Sequence, residues 1–264
     1  RMKRRLYSIN LDNVDDPVLS AAFHAKRLEL DRQLTMLLDR GTRNFLLGSQ
    51  QGYGNVDSSL LATAMELLAG IPSSTREDSG SGYIGARTFA DRAREEISYY
   101  RDQMPEFAAQ AIVRNDMFSG LLCSGGNLFI GHQTKIPSRR VHALLQHEVG
   151  THLLTYYNGL AEPFHQLHSG FAGYDALQEG LAVLTEYLVG GLSRPRLRIL
   201  AARVVATQQV VEGATFIDTY RYLCQDLGFA QQTAYTIVMR TYRGGGLTKD
   251  AVYLRGLIEI LEYL

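Results

Sequence analysis

The chain has 264 residues, 45% of them hydrophobic, and its 27 Lys plus Arg balance 27 Asp plus Glu. That length buries a substantial core without covalent staples, and zero net charge supplies no field to draw nucleic acid or an anionic membrane, so neither is an expected partner. No run of about 18 apolar residues reads as a membrane span. The opening Arg1-Met2-Lys3-Arg4-Arg5 lacks the apolar stretch of a secretory signal, and Cys123 and Cys224, far apart and outside any CxxC, point to reduced thiols in a cytoplasmic setting.

Asp16-Pro17 opens the first clear helix, because proline at the first helical position gives up no hydrogen bond. Its apolar spacing runs from Val18 to Leu38, and Gly41 stops it. A second helix is expected from about Asp57 to Leu68, ended by Gly70. Ser73 to Gly85 is rich in Ser and Gly and reads as a mobile surface loop, after which Phe89 to Arg101 restores a helical pattern.

Ala111-Ile112-Val113, Leu121-Leu122-Cys123 and Leu128-Phe129-Ile130 favour strands, with Ser124-Gly125-Gly126-Asn127 as a hairpin turn. This is the only convincing β segment. Lying just before a histidine-bearing helix, its edge could line a cleft and pair with an extended peptide, or it could be a covering hairpin with no ligand. Pro137-Ser138 begins that helix with Ser138 as N-cap, Val141, Leu145 and Val149 give it an apolar side, and Gly159 marks its end. Asp175 with Gln178 three residues on fits a capping-box-like start for the next helix. Four more helices are expected: Pro195 to Glu212, Phe216 to Leu227, Gln231 to Tyr242, and Thr248 to Leu264 with Thr248 as cap. The fold class is therefore α+β, predominantly α-helical, with one small antiparallel sheet beside the histidine helix. Residues 1–264 read as one domain, with an N-terminal helical part over 1–86 and a core over 87–264.

The chemistry concentrates in Gln146-His147-Glu148-Val149-Gly150-Thr151-His152, followed 26 residues later by Gln178-Glu179-Gly180-Leu181-Ala182. Zinc takes nitrogen from neutral histidine and oxygen from carboxylate, and a catalytic site uses three protein ligands and keeps a fourth position for water. His147, His152 and Glu179 can fill the three, which leaves Glu148 where a general base for that water belongs. The histidines are five apart, and on a regular helix their rings would diverge by roughly 140°. A wide turn or π-bulge over 147–152 is therefore predicted, with Gly150 loosening the chain there. His142, His165 and His168 fall in the same 27-residue stretch, so an all-histidine site stays open as an alternative.

Glu186, seven residues after Glu179 on the same helical face, could hydrogen-bond a ligand histidine, or be a surface carboxylate. Near the C-terminus, Arg240, Arg243 and Lys249 gather around Gly244-Gly245-Gly246, with Tyr253 one helical turn beyond. Such cations could hold a substrate carboxylate, and tyrosine could stabilise charge growing on a carbonyl oxygen. The alternative is structural: the glycines turn the chain and Lys249 faces water. Cys123 as a nucleophile is a weaker option.

The QHEVGTH and QEGLA segments, with Tyr-Leu-Val-Gly-Gly-Leu at 187–192 and Tyr-Arg-Gly-Gly-Gly-Leu-Thr-Lys-Asp at 242–250, resemble the microtubule-associated tyrosine carboxypeptidases and their bacterial relatives named after the QEGLA motif. The similarity runs from about residue 15 to the C-terminus, and the bacterial branch is the nearer likeness. It implies a gluzincin-like metallopeptidase binding one zinc ion, with the family's HExxxH histidines on His147 and His152, its base on Glu148 and its carboxylate ligand on Glu179. The implied partner is a peptide or protein C-terminus, with preference for a terminal aromatic residue. An endopeptidase or aminopeptidase on the same centre, or a non-catalytic zinc-containing regulatory protein, are the alternatives.

Overall fold

The computed structural model describes residues 1–73, 82–117, 120–243 and 247–264. Most of the expected loop between Ser73 and Gly85, and the glycines at 244–246, lie outside the described residues. The chain forms two compact units, one of residues 1–73, 171–180 and 194–264, the other of 74–170 and 181–193.

The first unit is helical. Helices α1 (Met2–Tyr7), α2 (Pro17–Leu38), α3 (Asn44–Tyr53) and α4 (Ser58–Gly70) come from its first segment. Asp16 caps α2 through the Val18 and Leu19 amides, with Pro17 at the first position, and Asp57 caps α4 through the Leu60 amide. The C-terminal segment supplies α10 (Arg194–Val211), α11 (Phe216–Gln225), α12 (Gln231–Tyr242), a 3-10 turn at Lys249–Ala251 and α13 (Val252–Tyr263). Leu200, Ala201, Ala202, Val204, Val205 and Ala206 make α10 apolar on nearly every side. Such a helix belongs in the middle of a bundle, and α10 packs against α4, α11, α12 and α13. Helices α1 and α3 are additions to the predicted set. Thr248 does not cap the turn that follows it: its hydroxyl donates to the Ser49 carbonyl and its amide to the Ser49 hydroxyl, both buried.

The second unit is mixed. Helix α5 (Ala86–Gln103) is followed by strands β2 (Ala111–Arg114), β3 (Leu121–Ser124) and β4 (Asn127–Gly131), while β1 (Tyr83–Gly85) pairs antiparallel with β5 (Lys135–Pro137). The three-stranded sheet runs in the order β2-β4-β3. It is not antiparallel throughout, as expected from the sequence: β3 and β4 form the predicted hairpin, but β2 lies parallel to β4, with Ala111 opposite Leu128. A hairpin can join only antiparallel neighbours, and the connection from β2 passes to the far edge before returning to the centre. Gly125 and Gly126 take φ of 54° and 75°, the left-handed pair a two-residue hairpin requires.

Phe89, Ala90, Ala93, Ile97, Phe107, Leu128, Ile130, Val149 and Leu153 form one buried cluster that joins α5, the sheet and the histidine segment. Full burial of each large side chain here is worth about 1.5–3 kcal/mol. That segment is α6 (Val141–His147), a π-helical turn (Glu148–Leu153) and α7 (Leu154–Ala161). It does not start with a Ser138 cap. Ser138 lies inside a 3-10 turn, and its hydroxyl donates to the Gly82 carbonyl at 2.7 Å. A short α8 (Gln166–Ser169) precedes α9 (Tyr174–Leu188), which carries the QEGLA residues. Asp175 falls within the first turn of α9 rather than before it.

Among the described residues no helix is long and apolar enough to cross a membrane, and neither Cys123 nor Cys224 is in a disulfide.

Candidate metal centre

The five-residue histidine spacing has its structural answer in the π-helical turn over Glu148–Leu153. One extra residue per turn brings His147 and His152 back to one side, and their ring centroids lie 5.0 Å apart, nearly perpendicular at 82°. Widening the helix disturbs its ladder, and side chains take over: Thr151 Oγ1 donates to the Gln146 carbonyl at 2.9 Å. Gly150 leaves room beside this turn. A Cβ there would stand 2.4 Å from Gln146 Oε1 and 3.1 Å from the Tyr100 hydroxyl, and Gln146 is itself tied to Glu96 by its amide at 2.7 Å.

His147, His152 and Glu179 each offer one ligand atom, and these atoms all lie within 4.8 Å of one another. Ligands about 2.0–2.1 Å from one tetrahedral ion stand some 3.4 Å apart, and the 4.8 Å bound is of that order. The donor chemistry fits as well. Glu186, fully buried, engages His147 Nδ1 at 2.9 Å through Oε1, which fixes the tautomer and makes Nε2 the coordinating nitrogen. The other oxygen of Glu186 accepts from Arg140 Nη2 at 2.7 Å, and Arg140 Nη1 donates to the Gly191 carbonyl. Glu186 thus sits where a helper of a ligand histidine should, and Arg140, which carried no signal in the sequence, is what keeps its charge balanced.

Glu148 begins the π turn and is nine-tenths buried. The thiol of Cys123, on edge strand β3, donates to Glu148 Oε2 at 3.3 Å and to its carbonyl at 3.4 Å. Cys123 is therefore a hydrogen-bond partner of Glu148.

Glu179 is positioned by a close helix contact. A Cβ on Gly180 would lie 2.2 Å from the Gly256 carbonyl carbon, and one on Gly256 would lie 1.8 Å from the Ala176 carbonyl oxygen, so α9 and α13 touch backbone to backbone one residue beyond Glu179. Tyr253, one turn before Gly256 on α13, is consequently near Glu179. Burial first, and the Glu179 charge next, push its phenol above the ordinary range, against the opposing pull of Arg240 and Arg203.

The predicted cations are dispersed in role. Lys249 is only partly exposed: its ammonium is 3.9 Å from Asp175 and 5.5 Å from the centre of the Tyr53 ring. Burial would lower its pKa, but Tyr53, Asp175 and Glu179 more than offset this and hold it above the usual value. Asp175 is correspondingly an ion-pair partner, with burial raising its pKa against the pull of Lys249. Arg240 makes a two-pronged pair with Asp250 at 2.9 and 3.0 Å. Burial opposes ionisation of Asp250, yet Arg203 and Arg240 keep its carboxyl below the usual range. Arg243 is exposed, close enough to add to that effect. His142, His165 and His168 are not part of the cluster, although His165 and His168 face each other with ring centres 6.4 Å apart.

A helical α+β chain presenting two imidazoles and a carboxylate to one point has the donor set of a single-ion hydrolytic centre, with selectivity left to N/O ligands. The chain belongs to the microtubule-associated tyrosine carboxypeptidase family, whose sequence profile matches residues 1–264. That match covers the whole chain, and the bacterial QEGLA branch is compatible with it. No curated protein matches. Among solved structures, a protein described as a lipoprotein of unknown function from Shewanella oneidensis aligns over 99% of this chain at 15% identity and a TM-score of 0.49, and this chain spans 62% of that one.

Proposed function

We propose that the chain is a zinc-dependent carboxypeptidase acting on peptide or protein C-termini, with residues 1–264 working as one catalytic domain of gluzincin-like type. The observation that carries the reading is the convergence of His147, His152 and Glu179 directly beside Glu148, within a chain of this family. His147, His152 and Glu179 would hold the ion. Zinc bound there would acidify a water molecule and polarise the scissile carbonyl.

The remaining work falls to side chains. Glu148 takes the proton of the attacking water and passes it to the leaving amine, a transfer worth about 10²- to 10⁴-fold in rate. Its burial and the Cys123 contact keep the carboxylate in one orientation. Glu186 and Arg140 hold the His147 ring in place. The Tyr253 phenol stays protonated at neutral pH, because burial raises its pKa, and so acts as a donor to the oxygen on which charge develops. Lys249, Arg240 and Arg243 supply positive potential toward a substrate carboxylate, Arg240 with its fork already engaged by Asp250. Preference for an aromatic terminal residue comes from the family. A cytoplasmic setting, where thiols stay reduced, suits Cys123 and Cys224.

The test uses one peptide as free acid and as C-terminal amide, with and without a chelator. Cleavage of the acid, abolished by chelation and restored by zinc, is the expected result. Equal cleavage of acid and amide would replace the exopeptidase reading with an endopeptidase, and activity untouched by chelation would end the metal reading.

A further inference from the structure

Arg203 stands in the middle of α10 among fully buried Ala201, Ala202 and Val204, and keeps only 9% of its surface. Its Nε is closed to solvent and makes no hydrogen bond. The closest carboxylate oxygen, Asp250 Oδ2, is 3.9 Å from that nitrogen, beyond hydrogen-bonding range. Its guanidinium carbon lies 5.1 Å from the centre of the Tyr253 ring, which is cation–π distance.

Asp250 is shared: its two oxygens accept from Arg240 at 2.9 and 3.0 Å, and Arg203 has only the longer 3.9 Å ion pair with it. Arg196 and Arg243 add to the positive field on this cluster. Burial, and then Arg240, push the Arg203 pKa down to about 10, which still leaves it charged at neutral pH. A buried guanidinium nitrogen without a hydrogen bond is costly, and two guanidinium groups sharing one carboxylate leave one positive charge in surplus. That surplus fits an anion supplied from outside the chain. A guanidinium matches a carboxylate with two parallel N–H donors, which neither a phenol nor an ammonium can do.

We infer that Arg203 is the receptor for the terminal carboxylate of the substrate, with the Tyr253 ring beneath its guanidinium and the Arg240–Asp250 pair fixing the site, and that selectivity for a free C-terminus resides there. The inference rests on the carboxypeptidase reading and refines it. Arg240 is held by Asp250 in a two-pronged pair, whereas Arg203 has only the 3.9 Å contact with Asp250 and lies against the Tyr253 ring.

The experiment measures kcat/KM of the metal-loaded full chain on an N-blocked peptide ending in tyrosine, as free acid and as amide, for wild type, Arg203→Gln and Arg203→Lys. The acid should lose on the order of 10- to 100-fold with Arg203→Gln, the size expected for charge-assisted hydrogen bonds. The loss should fall mainly on KM, leave the amide rate unchanged, and be partly recovered with Arg203→Lys. A variant that keeps the wild-type acid-to-amide ratio, even if both rates fall together, overturns the assignment and makes Arg203 a structural support of Tyr253. If Arg203→Gln loses its circular dichroism signature, the ratio for Arg203→Lys decides in the same way, since it keeps the charge and loses the fork. Should wild type cleave neither peptide, the carboxypeptidase reading fails by itself, and calorimetry with N-acetyl-tyrosine and N-acetyl-tyrosinamide then tests Arg203. Binding of the acid lost in Arg203→Gln supports the receptor, and equal binding by both proteins overturns it.

Discussion

Replacing Glu186 by Gln separates the support of the metal centre from the centre itself. Glu186 is fully buried, and Arg140 and His147, which it engages, have side chains only 12% and 7% exposed. Glutamine keeps the shape and can still accept from His147 Nδ1, but its amide nitrogen then meets Arg140 Nη2, which donates at 2.7 Å in the native protein. One charge-assisted hydrogen bond becomes a contact between two donors, and Arg140 loses the carboxylate it pairs with at 2.7 Å. Breaking a buried pair from one side costs about 3–5 kcal/mol. The retained histidine contact places this variant near the lower figure, about 3 kcal/mol, or a fall in Tm of roughly 6–12 °C. Loss of the anionic partner should also weaken metal binding by about 10- to 100-fold, because it makes the ligand imidazole less basic and less fixed. Chelator competition gives the Kd, and thermal melts of the metal-free protein give the stability term separately. A Kd within twofold of wild type would refute the orienting role of Glu186, whatever happens to Tm.

Other outcomes follow from single contacts. Glu148→Gln should retain stoichiometric metal while hydrolysis drops by at least about 10²-fold; substantial residual turnover would remove Glu148 as the base. Gly256→Ala places a methyl group 1.8 Å from the Ala176 carbonyl oxygen. Because that neighbour is backbone, α9 and α13 must separate, so a loss of about 1–3 kcal/mol in denaturant melts should be accompanied by weaker metal binding through displaced Glu179, and an unchanged Kd would contradict the link. Asp57→Ala removes the cap on α4 and should cost about 1 kcal/mol at neutral pH. The backbone bond to Leu60, and then Ser59, depress the Asp57 pKa below the ordinary 3.8, so the cap's contribution is complete above that value and disappears as pH falls through the lowered one. Urea melts of the two proteins should converge in strong acid, and a gap that persists there would show that the cap does not depend on the carboxylate charge.

The helices were legible where a local signal and a tertiary demand coincided. Asp16-Pro17 and Asp57 mark α2 and α4 in the sequence and cap them in the structure. The Gly125-Gly126 turn likewise announced the β3–β4 hairpin. What the pattern could not supply was the partner of β2: a parallel neighbour is chosen by burial of Ala111 and Leu128 on a common core, not by a turn. Caps assigned to Ser138 and Thr248 failed because both hydroxyls serve distant carbonyls, Gly82 and Ser49, that no local rule could foresee.

At the site, the five-residue spacing itself predicted a widened turn, since a regular helix would have pointed the two rings apart. Glu186 was visible as a residue two helical turns from Glu179, but Arg140 was not, as nothing local distinguishes it from Arg139. Arg203 was hidden for the opposite reason. It sits within an apolar run on α10, where periodicity reads only a buried helix.

The most direct measurement is X-ray absorption at the zinc edge of the protein loaded with one equivalent of metal. The account predicts a first shell of two imidazoles and oxygen at about 2.0–2.1 Å, with one imidazole signature lost on His152→Ala and an oxygen lost or lengthened on Glu179→Ala. A sulfur shell near 2.3 Å, which would place Cys123 or Cys224 on the metal, or a spectrum indifferent to both substitutions, would contradict it.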